Sequence, residues 1–525
     1  MLKKDKLTTY ILITLIILGI FLRFYSLGEE YLWDDEQLSM VSAIKIHRQD
    51  LKSGIMYFQE HPGLGKWLVA LPSNFISANY QPLSALGPNM FAWSFLAHEA
   101  LSANYVAIRI INAIIGTLAV FFVYLITKEL FNKKAALWGA AIMATAPDMI
   151  AYSRHEVLMK IISIAMVLGT IYFYIKYHKE KVQDKKWIYL GAAIVFMVFA
   201  LGSRNFDPLF IMPTIIISQF LLKRGKFHLK ENLMVAGLVA LSFIFVFFYT
   251  YPPEAKAFAQ EHLEAESPFQ LIGFTFLSMA ELALIRNSYL TTISIILIFI
   301  SLIYYLNKIN KKDEKSALEN IWIYLKDQRA VLVIFLLVSF IGIGLTRLGS
   351  GSMYNITFYS TSFLLAGIVV YKLTEKYQII KYIFLAILII NIAQIIPNFP
   401  YSTWEYSNLG LGSSFYENKI DKTIPDTVFY ELEIMGNPPI TTSVVSALIF
   451  YKGEKKSMAV PNEARCTREY FIELIKANPL ILHRDDIAKD QYICQLYKQL
   501  PLKEIKNFEN RVYLYKIDQS LLKNE

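Results

Sequence analysis

The sequence predicts a polytopic α-helical membrane protein with a small α/β domain at its C-terminus. Three observations lead there: a composition too apolar for a water-soluble globule, a series of runs long enough to cross a bilayer, and basic residues confined to alternate connections. Of the 525 residues, 55% are hydrophobic and only 18% are charged. Mean hydropathy is +0.38, a composition that excludes an ordinary soluble domain. The net charge of +9 comes largely from the basic loops, so it is no argument for a nucleic-acid partner.

A helix needs roughly 17 to 25 apolar residues to cross the hydrocarbon. Such runs fall near 8–25, 105–127, 134–150, 157–177, 187–202, 207–222, 233–251, 288–307, 330–346, 355–372 and 379–397, giving about eleven helices. The first, led by Lys3, Lys4 and Lys6, has the charge pattern of a signal peptide. No small-residue cleavage site follows it, so it reads as a retained span.

Lysines and arginines gather at the N-terminus and in connections 128–134, 176–186, 223–230, 308–329 and 372–376. The positive-inside rule makes these cytoplasmic. The other loops, 25–104, 147–156, 202–207, 251–287 and 346–354, then lie outside together with the tail from Pro397. Segment 64–76 is apolar enough to resemble another span, but counting it would invert every later basic loop. It is predicted as a helix in the outer interface, where Lys66 snorkels to headgroups. The predicted division is 1–397 as the membrane domain, including the first loop 25–104, and 398–525 as an extracytoplasmic α/β domain. In the latter, 440–451, 480–483 and 511–517 read as strands, and 467–477 and 485–499 as helices. Its Cys466 and Cys494 either pair or remain buried thiols.

Ionisable residues collect at the outer ends of these helices. The first loop carries Trp33-Asp34-Asp35-Glu36 and Glu60-His61-Pro62-Gly63-Leu64-Gly65-Lys66; Arg109 opens the second span; Arg154-His155-Glu156, Arg204 with Asp207, and Arg347 follow. Carboxylates at a membrane edge are costly to desolvate and therefore face water or a polar site. There they accept protons or hold a metal. Arginine forks bind phosphate bidentately and stay charged, and a carboxylate near a lipid phosphate can deprotonate an incoming hydroxyl. Asp35, Glu36 and Glu60 can supply oxygen ligands to a divalent ion, though nothing in their spacing demands one. Asp34 reads as a helix N-cap, and the sequon Asn355-Ile356-Thr357 as chance at a membrane edge.

In their order, four segments resemble the type C membrane glycosyltransferases, in particular the branch of protein O-mannosyltransferases and lipid A aminoarabinose transferases. They are Leu32-Trp33-Asp34-Asp35-Glu36, the family's W-x-D-E loop; Glu60-His61-Pro62-Gly63-Leu64-Gly65-Lys66-Trp67, close to H-P-P-L-G-K; 107–131, with the pattern R-x-x-x-A-x-x-G-x-x-x-V-x-x-x-Y; and 146–154, a P-x-x-x-x-Y-S-R turn. The resemblance covers roughly residues 8–220. Gly63 departs from the second proline, and Met159-Lys160 stand where many members carry an acid.

This resemblance implies the type C fold and transfer of a sugar from a polyprenyl-phosphate donor to an acceptor hydroxyl on the outer face of the cell membrane. Asp35 would be the general base and Glu36 would position the acceptor. Glu60 and His61 would approach the lipid phosphate, with Arg109, Arg154, Arg204 and Arg347 as phosphate ligands. The partners would be the lipid-linked donor, a protein, lipid or glycan acceptor, and membrane lipids. The rival is a transporter or flippase of a lipid-linked or anionic solute, which would place charges at midplane in repeated broken helices. A scaffold presenting the C-terminal domain leaves the acidic loop unexplained.

Overall fold

The computed structural model describes residues 2–25, 27, 42, 46, 62–71, 98–154, 160–204, 207–223, 228–249, 330–344, 356–393, 429–432, 458–460, 472, 480–483, 499, 501–508 and 512–518. The chain divides into two compact units. One comprises Met1–Leu27, Ser42–Asn74 and Ala107–Thr403, and the other Gly28–Val41, Phe75–Val106 and Trp404–Glu525.

Helices dominate the first unit. They are α1 (Leu2–Phe24), α2 (Gly63–Ala70), α3 (His98–Leu130), α4 (Lys133–Thr145), α5 (Pro147–Arg154), α6 (Lys160–Lys179), α7 (Gln183–Leu201), a 3-10 turn (Asp207–Phe210), α8 (Ile211–Leu222), α9 (Leu229–Tyr249), α10 (Ala330–Gly344), α11 (Ile356–Lys376) and α12 (Gln378–Ala393). The first residues of α3 belong to the second unit. Every predicted span except 288–307 coincides with one or two of these helices, and 288–307 lies outside the described residues. Among the described residues, four helical stretches are long and apolar enough to cross a membrane: Lys6–Phe24, Arg109–Leu130, Lys160–Lys179 and Leu229–Tyr249.

Local chemistry sets the breaks. The Asn132 side chain accepts from the Ala135 N–H at 2.9 Å and starts α4, the capping arrangement that satisfies one orphan donor of a first turn. Pro147 then stops α4, because it has no N–H to continue the ladder. It opens α5 at the first helical position, where its fixed φ suits it. The expected span 134–150 is therefore two helices, and the expected turn at 147–154 is helical.

The α6 and α7 helices pack along each other, α1 and α11 both pack on α4, and α9 lies against α7 and α8. Phe122 of α3 meets Phe173 of α6 and Phe196 of α7 edge-on, at 6.4 and 5.4 Å between ring centroids. Outward-facing residues are large and apolar: Tyr10, Ile13, Ile17 and Phe21 on α1, and Leu241, Phe245 and Phe248 on α9. Their helical spacing makes an apolar stripe that water would not tolerate and lipid does.

In the second unit, five strands form one mixed sheet. They are β1 (Phe429–Leu432), β2 (Met458–Val460), β3 (Leu480–His483), β4 (Leu502–Phe508) and β5 (Val512–Ile517), in the order β2-β1-β3-β5-β4. β1 runs parallel to β2 and β3, while β5 runs antiparallel to β3 and β4. Tyr515 and Ile517 are buried and Lys516 is exposed, the period-two pattern of a one-sided core. β3 and β5 occupy the predicted runs 480–483 and 511–517. The predicted strand 440–451, Cys466 and Cys494 lie outside the described residues, as do the predicted helices 467–477 and 485–499 apart from residues 472 and 499.

Candidate active site

The two ends of the helical unit differ in chemistry. At one end, lysines gather around carboxylates. Glu129 faces Lys176 at 3.5 Å and Lys179 at 3.3 Å. Glu231 accepts from Lys186 at 2.6 Å, from Lys223 and from the Tyr177 hydroxyl. A neutral chain continues inward: Tyr174 donates to Gln219 Oε1, Gln219 donates to Asn232 Oδ1, and Asn232 donates to the Lys223 carbonyl, at 3.0, 3.0 and 2.8 Å. The lysines of this cluster and Glu129 come from the basic loops 128–134, 176–186 and 223–230 or their edges.

The opposite end is built on buried cations. Arg23, Lys66, Arg109, Arg154, Lys160 and Arg204 are all buried there. Arg109 Nη1 donates to the Leu27 carbonyl at 2.9 Å, just beyond α1. Arg154 Nη1 donates to the Leu22 carbonyl at 3.5 Å, in the last turn of α1. The final carbonyls of a helix have no partner within it and carry its negative dipole end, so cations are favoured there. Two predicted phosphate residues thus converge on the end of α1. The Lys160 ammonium stands over the Tyr152 ring, 4.6 Å from its centroid, within cation–π range.

Arg204 belongs to a second junction at this end. The Gly202 carbonyl accepts from the N–H groups of Leu64 and Gly65 at 2.8 and 3.1 Å, seating α2 on the end of α7. A Cβ on Gly202 would lie 2.4 Å from Leu64 Cδ1, so only glycine permits this approach. Trp67 packs on Phe199, with ring centroids 6.4 Å apart. The result corrects the expectation for Lys66, which is buried inside protein instead of snorkelling. Loss of water pushes its ammonium down to about 7, since burial disfavours the charged form.

Asp35, Glu36, Glu60, His61 and Arg347 lie outside the described residues, as do Asp34, His155, Glu156 and the Asp207 side chain. The oxygen donors named for a divalent ion are among them. Sequence reasoning did not single out Arg23, which is fully buried in the last turn of α1. The available signal was an arginine within an apolar run, with Pro147 far downstream leaving α4 short of a donor.

A family model described as dolichyl-phosphate-mannose-protein mannosyltransferase matches residues 87–250. Among solved structures, ArnT from Cupriavidus metallidurans bound to undecaprenyl phosphate superposes with a TM-score of 0.56 at 11% identity, covering 97% of this chain and 98% of that one. The same ArnT in its apo state gives 0.56 at 13% identity, covering 98% and 99%. The chain has the type C glycosyltransferase fold. An oligosaccharyltransferase from Archaeoglobus fulgidus gives 0.48 at 14% identity, covering 92% of this chain and 70% of that one, and adds nothing to the assignment. A comparison with curated proteins finds no match. The type C fold makes the chain a multi-pass membrane protein, as its apolar helices require.

Proposed function

We propose that this protein is a membrane glycosyltransferase that moves a sugar from a polyprenyl-phosphate carrier to an acceptor hydroxyl on the outer face of the membrane. The observation that carries the reading is the convergence of Arg109 and Arg154 on the end of α1, in a chain of the type C fold. The first loop leaves from that point. Its Asp35 would take the proton from the acceptor hydroxyl as the sugar carbon is attacked, and Glu36 would orient the acceptor. The lipid phosphate would leave with the electron pair of the broken glycosyl bond. Its charge would be met by Arg109 and Arg154, with Glu60, His61, Arg204 and Arg347 completing the donor site.

The buried setting supports this assignment. A guanidinium remains charged where a lysine would lose its proton, and a charge held away from water acts more strongly on a phosphate than one in bulk solvent. On the positive-inside pattern of the sequence we assign this end to the outside, and we assign residues 398–525 to recognition of a protein, lipid or glycan acceptor. Truncation before residue 398 that left acceptor choice unchanged would overturn that last assignment.

The test is a panel of radiolabelled polyprenyl-phosphate sugars incubated with protein in lipid, comparing wild type with Asp35→Asn. Sugar transfer or release by the wild type should fall at least about 10³-fold in the variant, with binding of undecaprenyl phosphate retained. Donor movement across the bilayer without transfer, indifferent to Asp35→Asn, would establish the transporter instead.

A further inference from the structure

We propose that Arg23 is a positioning residue: it fixes Arg154 and the end of α1 relative to each other, and so sets the affinity of the site for a lipid phosphate. This rests on the donor reading above. The argument begins at the break between α4 and α5. In a continuous helix the Met143 carbonyl would accept from the N–H of residue 147, but residue 147 is proline. Arg23 supplies the missing donors from another helix, with Nη2 to Met143 O and Nη1 to Ala144 O, both at 3.2 Å. Nη1 also reaches Gly19 O, one turn back in α1, at 3.1 Å.

The Nε–H goes to Ser153 Oγ at 3.1 Å, the residue immediately before Arg154. That hydroxyl in turn donates to Met149 O, so both of its roles are filled and its rotamer is fixed. Gly116 of α3 makes room for the pair. A Cβ there would lie 2.1 Å from Ser153 Oγ and 3.1 Å from Arg23 Nε. The glycine of one motif and the serine of the other therefore meet at Arg23, across three helices.

Arg154 reaches in the opposite direction, to Leu22 O beside Arg23. α1 and α5 are thus braced by two arginines pointing past each other. A displacement of either helix moves Arg154 and the end of α1 together. All four acceptors of Arg23 are neutral oxygens. They hold the guanidinium in place by hydrogen bonds whose directions a lysine ammonium cannot reproduce.

The experiment measures binding of undecaprenyl phosphate to the full chain in nanodiscs for wild type, Arg23→Lys and Ser153→Ala, with thermal unfolding recorded in parallel. Arg23→Lys is expected to weaken binding about tenfold and Ser153→Ala about threefold, at unchanged folded fraction. With a competent donor, KM should rise by similar factors and kcat stay within about twofold, the signature of lost ground-state binding. Wild-type affinity in folded Arg23→Lys would overturn the proposal, as would an affinity loss that merely tracks unfolded protein. If Arg23→Lys fails to fold, Ser153→Ala decides: unchanged affinity there refutes positioning. Failure of the wild type to bind undecaprenyl phosphate would refute the donor reading itself, and the proposal with it.

Discussion

The two ends of the helical unit hold positive charge in opposite ways. Around Glu231 and Glu129, lysines are placed beside carboxylates and partly exposed to water. At the Arg23 end, guanidinium groups are buried and reach to backbone carbonyls that helix breaks and helix ends leave without partners. The first arrangement neutralises charge and fastens loops. The second retains charge and aims it, at the cost of taking it out of water. A phosphate would have little to gain at the first end and much at the second.

The largest expected effect breaks the second arrangement directly. Arg154→Ala should lower donor turnover by about 10²-fold, read as release of labelled sugar; unchanged turnover would remove Arg154 from the phosphate site. Next comes the brace. Arg23→Met leaves the Met143 and Ala144 carbonyls without their donor and should cost about 2 kcal/mol. Pro147→Ala supplies the backbone N–H that a continuous helix would direct at Met143 O, so the double variant should recover about 1 kcal/mol of that loss in a thermal-unfolding cycle. Strict additivity would mean that Arg23 is not the substitute for the missing N–H. The smallest effects belong to the other end. Glu231→Gln should cost about 1 kcal/mol, because it removes one partner from several donors, and the more exposed Glu129→Gln less than about 0.5 kcal/mol. Neither should change affinity for undecaprenyl phosphate, and a change would erase the contrast drawn between the ends.

Hydropathy made the membrane helices legible because an apolar run must cover itself with lipid or protein wherever it lies. It averaged over Pro147, however, so the run 134–150 read as one span and hid the pair α4 and α5. The arginines at 109 and 154 were legible as charges at span ends, where burial of an uncompensated cation is costly. Arg23 was not, because three of its four acceptors lie 120 to 130 residues away and only tertiary packing brings them together. Lys66 failed for the same reason. Nothing near residue 66 announces that the carbonyl of Gly202 will receive the start of its helix. In the C-terminal unit, the apolar run at 480–483 and the alternating β-branched and aromatic run at 511–517 announced β3 and β5, whereas β1 and the three-residue β2 did not stand out from their surroundings.

The brace at Arg23 also bears on how the chain is made. The first span emerges from the ribosome long before Met143, Ala144 and Ser153 exist. At about 5 to 20 residues per second, the guanidinium must wait on the order of ten seconds for its acceptors. An arginine held at the centre of a span would meanwhile cost about 3 kcal/mol in lipid; in the last turn of α1 it can extend to the headgroup layer until the later helices arrive. Membrane insertion and the finished architecture therefore constrain the same side chain at different times, so a variant that tolerates one can still fail at the other.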